Sequence, residues 1–272
     1  MPEGDTIHKI ANFLAPRLAS QKITALQMAD EVSRRKSEGR TVTGVTARGK
    51  HLFIELDNET SLRSHLGMYG SWHRYAHEEP WRKPRRQASM VLSTENDVYV
   101  CFNAKEIELV RTPSVRSRIV RGRLGPDLIA DDAEPAELVR RAREFLETDA
   151  LVADVLLDQR VASGIGNVYK SEVLFIERLL PDTRLADLSD DVLASCFRTA
   201  ADLLQQNLGG GRRVTRFEDD SARLWVYGRT GQPCLECDTP IRSARLGRHH
   251  RGTFWCSRCQ SAKRMQSDES AQ

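Results

Sequence analysis

The chain has no run of about 18 apolar residues, which excludes a hydrophobic helix long enough to span a bilayer. It also lacks an apolar stretch behind Met1, because Glu3, Asp5, His8 and Lys9 interrupt it, so no secretory leader is expected. These two absences lead us to expect an intracellular protein, cytoplasmic or nucleoid-associated, with no membrane partner. A strong net charge is missing as well. The formal total is +3 over 272 residues, too little by itself to indicate a nucleic-acid partner. The distribution says more. Five arginines and no acid lie between Arg111 and Arg123, and seven Arg or Lys and no acid between Thr239 and Ser267. The stretch from Asp127 to Asp158 is mostly acidic. Basic blocks parted by an acidic one suit a chain that grips phosphates with particular faces.

The length suggests one large or two modest domains with room for real cores. Ile7, Ile10, Ala11 and Leu14 share one face at helical spacing. Asp5 is placed to cap a helix from Thr6, and Pro16 to kink or end it. From Lys22 to Val100 the pattern turns to strands. Thr41 to Arg48, His51 to Leu56, Ser61 to Trp72, Ala88 to Leu92 and Val98 to Phe102 are the candidates, and many short strands at this spacing suggest a β-sandwich. Ser33 to Gly39 and Trp81 to Arg86 read as polar, basic loops. Leu124-Gly125-Pro126-Asp127 reads as a linker. Ala136 to Leu208 reads as roughly four helices, and Gly209-Gly210-Gly211 breaks the pattern. The last residues are polar and expected to be disordered.

Three local patterns carry chemistry. Cys234-x-x-Cys237, eighteen residues, then Cys256-x-x-Cys259 is the spacing of a structural tetrathiolate zinc site, and in a reducing compartment such pairs favour metal over disulfides. The segment between the pairs, Ile241 to Trp255, is expected to form a β-hairpin carrying Arg242, Arg245, Arg248 and Arg251. Leu151 to Gln159, then Arg160 to Asn167, then Val168 to Arg178 reads as helix, two turns, helix. Asn167 is placed to cap the second helix, where free N–H groups and the helix dipole favour a phosphate. At the start of the chain, Pro2 becomes a secondary amine if Met1 is removed. Its α-amino group would titrate near ~7.7–8.0, and an amine of this kind adds to a sugar aldehyde carbon to give an iminium. Glu3 can move the proton such chemistry requires.

Met1-Pro2-Glu3-Gly4-Asp5, Gly49-Lys50, Gly164-Ile165-Gly166-Asn167 and the four-cysteine unit occur in one order. Together they resemble the family of bifunctional DNA glycosylases that contains formamidopyrimidine-DNA glycosylase and endonuclease VIII. The resemblance runs from residue 1 to around residue 264. It implies an α+β multidomain fold: a β-sandwich with a leading helix over 1–126, a helical helix–two-turns–helix domain over 127–223, and a β-hairpin zinc finger over 224–264 before a tail at 265–272. Damaged duplex DNA, with single strands left open, would lie across a cleft, bound by a monomer holding one structural Zn2+. The implied catalytic residues are Pro2, which attacks C1′, Glu3, which acts on the deoxyribose ring, Lys50, a proton donor in β-elimination that binds phosphate, and Arg251, a phosphate contact that assists elimination. The implied DNA-binding residues are Asn167, Arg123, and the intercalating Met68 and Tyr69. The expected activity is glycosylase and AP lyase, cutting the strand by β,δ-elimination. The alternative is a non-catalytic binder of damaged or abasic DNA that retains the fold.

The chain departs from both branches of the family. Formamidopyrimidine enzymes pair a Met in the first loop with an Arg-x-Phe wedge on a later one, and Asn103 to Leu109 has no such wedge. The endonuclease VIII branch places Gln-Leu-Tyr together, and Gly67-Met68-Tyr69 keeps only the Tyr. The loop that covers 8-oxoguanine in formamidopyrimidine enzymes is longer than Arg212 to Arg223. These features favour the endonuclease VIII branch and oxidised pyrimidines.

Overall fold

The computed structural model describes residues 1–112, 124–217 and 222–260. The chain divides into two compact units, Met1–Arg123 and Leu124–Gln272.

The first unit opens with helix α1 (Gly4–Leu18), followed by β1 (Ala25–Met28), α2 (Glu31–Ser37), β2 (Val42–Arg48), β3 (His51–Leu56), β4 (Thr60–His65), β5 (Ser71–Tyr75), β6 (Ala88–Ser93), β7 (Val98–Phe102) and β8 (Glu106–Arg111). The strands form two four-stranded antiparallel sheets, ordered β1-β6-β7-β5 and β2-β3-β4-β8. Period-two alternation turns Leu52, Ile54 and Leu56 of β3 to the same core as Leu92, Tyr99 and Cys101 of the other sheet, which makes a sandwich. Helix α1 packs on β2 and β3 and contributes Ile7, Ala11, Leu14 and Leu18 to that core. Each of the larger side chains is worth roughly 1.5–3 kcal/mol when fully buried, so the start of the chain is held by its helix rather than left to fray. The helix begins two residues earlier than expected. Glu3, not Asp5, is its N-cap, and its carbonyl accepts from Thr6 N and Ile7 N at 3.0 and 3.1 Å. Pro16 sits inside the last turn without ending it before Leu18.

Two further expectations are corrected. Ser33 to Gly39 is not all loop: α2 covers Glu31–Ser37, capped by the Asp30 carboxylate, which accepts from Val32 N at 3.1 Å. Ser61 to Trp72 is two strands in different sheets, β4 and β5, joined by a turn at residues 66–70.

The second unit contains α3 (Pro135–Phe145), α4 (Val152–Val155), α5 (Asn167–Ile176), α6 (Asp190–Gln206) and a hairpin of β9 (Arg242–Leu246) and β10 (Arg251–Trp255). Leu138, Val155, Ile165, Leu174, Phe197 and Leu204 anchor its main core, and a smaller one gathers Phe175, Val226, Ile241 and the cysteines. The first helix of the expected helix–two-turns–helix is a single turn, α4, continued by turns through Ala162. Gly125 to Asp127 is docked rather than a free linker. Pro126 O accepts from Ser163 N at 2.7 Å, and a Cβ on Gly125 would overlap the carbonyls of Arg160 and Val161.

Candidate active site and nucleic-acid interface

In the first unit, Pro2 is half-buried and Glu3 fully buried at the mouth of α1. Lys50 lies in the two-residue connection between β2 and β3, where Gly49 adopts φ +54, the left-handed conformation such a hairpin needs at its first position. Met68 and Tyr69 occupy the tip of the turn between β4 and β5, at 51% and 75% exposure, so neither is a core residue. That turn is built tightly: Gly70 N donates to Leu66 O at 3.1 Å, and a Cβ on Gly70 would overlap the backbone of Leu66. Its neighbour is the short β7–β8 connection, residues 103–105, whose Lys105 N donates to His65 O at 2.9 Å. Arg123 lies outside the described residues.

A cluster beside Lys50 went unnoticed in the sequence. Cross-strand pairing of β3 with β4 sets His51 opposite His65, with ring centroids 4.9 Å apart. Arg63 is held between Glu108 at 2.6 Å and Glu106 at 2.8 Å, and its Nη1 lies 2.8 Å from His51 Nδ1. Burial, with the neighbouring His65 and the Arg63 cation adding to it, depresses His51 to about 3. Burial also lowers His65, so His51 is neutral near pH 7. The Arg63 guanidinium, through its hydrogen bond, pulls the Glu106 carboxyl below its ordinary value. The signal in the sequence was register alone: His51 opens β3 and His65 closes β4.

In the second unit, Gly166 rather than Asn167 is the N-cap of α5, and Asn167 is its first residue. The Asn167 side chain is turned to the hairpin. Its Nδ2 donates to Gly252 O at 2.6 Å and its Oδ1 accepts from Lys170 Nζ at 2.7 Å. Lys170 is fully buried and also donates to Thr253 Oγ1 at 2.7 Å. Because an ammonium only donates, Oδ1 must face it, which leaves the Asn167 amide as donor. Arg251 opens β10 with an exposed side chain. Two positions on from Lys170, Glu172 is fully buried and closes the base of the segment that leads to the finger. Its Oε1 accepts from Val226 N and Tyr227 N at 3.0 and 2.8 Å, and its Oε2 from Trp225 N at 2.7 Å and from Thr215 Oγ1. Burial raises this carboxyl above its ordinary value, against the four hydrogen bonds that lower it.

The four sulfurs of Cys234, Cys237, Cys256 and Cys259 lie within 4.8 Å of one another, with the hydrogen-bonded pairs at 3.4–3.8 Å. Disulfide bonding needs about 2.05 Å, whereas ligands at ~2.3 Å in a tetrahedron stand about 3.8 Å apart. The cluster therefore fits one tetrahedral metal. Gln260 ties it to the helices: its Oε1 accepts from Cys256 N at 2.8 Å and its Nε2 donates to Leu179 O at 2.7 Å.

Three family models match in order: the formamidopyrimidine-DNA glycosylase N-terminal domain over residues 1–106, its H2TH domain over 124–219, and the zinc finger found in FPG and IleRS over 231–262. The chain belongs to the formamidopyrimidine-DNA glycosylase family of DNA glycosylases and AP lyases. Within that class its relatives include the DNA-(apurinic or apyrimidinic site) lyase Nei2 of Mycolicibacterium smegmatis, 35% identical over 96% of this chain and 100% of its own length. Another is endonuclease 8 2 of Mycobacterium bovis, 34% identical over the same shares. A similar fold is seen in the Lactococcus lactis formamidopyrimidine DNA glycosylase bound non-covalently to DNA containing an AP site, with a TM-score of 0.81 at 22% identity over 96% of this chain and 100% of that one. No helix among the described residues is long and apolar enough to cross a membrane.

Proposed function

We propose that this protein is a bifunctional glycosylase and AP lyase of base excision repair that works through its N-terminal proline, with oxidised pyrimidines in duplex DNA as its main substrates. With Met1 removed, the Pro2 nitrogen adds to C1′ of the extruded nucleotide while Glu3 moves a proton at the sugar ring. The base departs and an iminium remains. β-Elimination, with Lys50 as proton donor, and then δ-elimination release the sugar remnant. Asn167, Arg123 and Arg251 hold phosphates, and Met68 and Tyr69 fill the space left by the extruded base. The four thiolates hold one zinc ion, which closes its coordination sphere and leaves it a structural role.

The observation that carries this reading is the anchored start of α1: a half-buried Pro2 next to a fully buried Glu3, fixed by Ile7 and Leu14 in the sandwich core. An N-terminus held in this way is already oriented for attack. The preference for pyrimidines rests on two features. The β7–β8 connection is too short to bear a second wedge, so Met68 and Tyr69 act from one turn. The segment before the finger, Arg212 to Arg223, is shorter than the loop that covers 8-oxoguanine in formamidopyrimidine enzymes, and Thr215 N donates to Arg223 O at 2.9 Å.

Borohydride trapping on a duplex with an abasic site tests the mechanism. The expected result is a covalent adduct mapped to Pro2, in protein whose intact mass lacks Met1. Protein that retains Met1 and still nicks the duplex overturns the Pro2 assignment, and duplex binding without an adduct identifies a non-catalytic binder. Rates on thymine glycol, dihydrouracil and 8-oxoguanine duplexes test the lesion choice.

A further inference from the structure

Strand β9 is exposed along Arg242–Arg245, so the finger hairpin has little apolar surface of its own with which to fix its tip. A two-stranded hairpin is marginal without such support. Polar anchors hold it instead. Asp154, on the one-turn helix α4, is 8% exposed, and its Oδ2 accepts from Arg248 N at 2.9 Å. Gly247, at φ +72, lies directly on this carboxylate, and a Cβ there would overlap both of its oxygens. Asp158 adds an ion pair to the Arg248 guanidinium at 3.5 Å. Beyond Arg251, Gly252 O receives Asn167 Nδ2, and Arg251 O receives Thr253 Oγ1 at 3.1 Å, the hydroxyl that Lys170 holds. Arg251 is thus bracketed by anchors on two different helices, one three residues before it and one immediately after.

We infer that Asp154 is a positioning residue for Arg251: it fixes the hairpin turn so that the Arg251 guanidinium is ordered before DNA arrives. The inference rests on the reading of Arg251 as a phosphate contact. Its physical basis is that a long side chain on a fixed turn loses less freedom on binding than one on a mobile turn. The carboxylate need not be charged for this, since it acts as an acceptor for one backbone N–H.

The test uses the full-length, zinc-loaded chain and a duplex carrying a tetrahydrofuran abasic analogue, with Kd from fluorescence anisotropy and amide hydrogen exchange read at Arg248. Asp154→Ala is expected to weaken binding by about 3–10-fold, the cost of ordering one long side chain and its turn, and to speed exchange at Arg248. Asp154→Asn, whose amide oxygen still accepts, recovers most of the affinity. In an Arg251→Ala background, Asp154→Ala costs nothing further, because the residue it positions is gone. Gly247→Ala, which forces the turn off an intact carboxylate, reproduces the loss and carries the test should Asp154→Ala fail to retain zinc. Equal losses with and without Arg251, or unchanged exchange at Arg248, overturn the proposal. A wild-type protein that forms no borohydride adduct overturns the functional reading instead, while the exchange measurement still judges the anchor.

Discussion

Glu172 offers the sharpest test of how the second unit is held together. Its carboxylate is the common acceptor for three successive backbone amides, Trp225 to Tyr227, and for the Thr215 hydroxyl. Glu172→Ala leaves those amides buried with no acceptor. Each such group costs about 1–3 kcal/mol, and water admitted to the vacated space lowers the total, so the expected destabilisation is about 3–5 kcal/mol. Glu172→Gln separates the two oxygens. An amide oxygen at the Oε1 position still serves Val226 and Tyr227, while its NH2 faces the donor of Trp225, so about 1–3 kcal/mol is lost. The assay is urea unfolding of the zinc-loaded chain, followed by zinc release to a chromophoric chelator, with hydrogen exchange read at residues 225–227. The expected order is wild type, then Glu172→Gln, then Glu172→Ala, with exchange fastest in the last. A Gln variant as unstable as the Ala variant, or unchanged exchange at Trp225, would refute the reasoning.

Other outcomes follow from the same geometry. His51 is held neutral by the fold but takes up a proton in the unfolded chain below about pH 6.5, and burial lowers His65 in the same direction. The contribution of His51 to the stability of the first unit is therefore fully present above that pH and is lost as pH falls toward its folded value, about 3, at up to about 1.4 kcal/mol per pH unit. His51→Gln flattens the profile, and urea midpoints at several pH values that fall in parallel for both proteins would contradict the account. Met68→Ala with Tyr69→Ala should change unfolding stability by no more than about 0.5 kcal/mol, as exposed positions do, yet slow excision from duplexes much more than cleavage at a preformed abasic site. Paired melting and single-turnover measurements decide this. Metal analysis should give one zinc per chain. Chelation should abolish duplex binding while the first unit keeps its near-UV circular dichroism, and a chelated protein that binds as before would remove zinc from the scheme.

Much of this was legible in the sequence because apolar periodicity and fixed spacing are local signals. The face of Ile7, Ala11 and Leu14 located α1, the alternation of His51 to Leu56 gave β3 with its correct ends, and the cysteine spacing foretold the sulfur cluster. What escaped depends on tertiary partners. Helix α2 has no apolar stripe and is held by the Asp30 cap and by Glu31 paired with Arg35, so its polarity read as loop. The His51–His65 pair exists only through strand register. Lys170 and Glu172 left a trace that could have been followed: two charges set in the run from Val168 to Ile176, apolar apart from them and Ser171, are expensive to bury unless each meets several partners, and here each does. The N-cap of α5 fell one residue early because the Asn167 side chain had a competing partner in Gly252, far along the chain.

The row Lys170, Asn167, Gly252 also has a polarity. The ammonium can only give hydrogen, the side-chain oxygen of Asn167 must take it, and the remaining nitrogen must give hydrogen onward. Asparagine is the residue of this size that can serve both ends at once. Deamidation to aspartate would keep nearly the same outline while turning the outward donor into an anion, which would repel both the Gly252 carbonyl and any phosphate brought to that helix end.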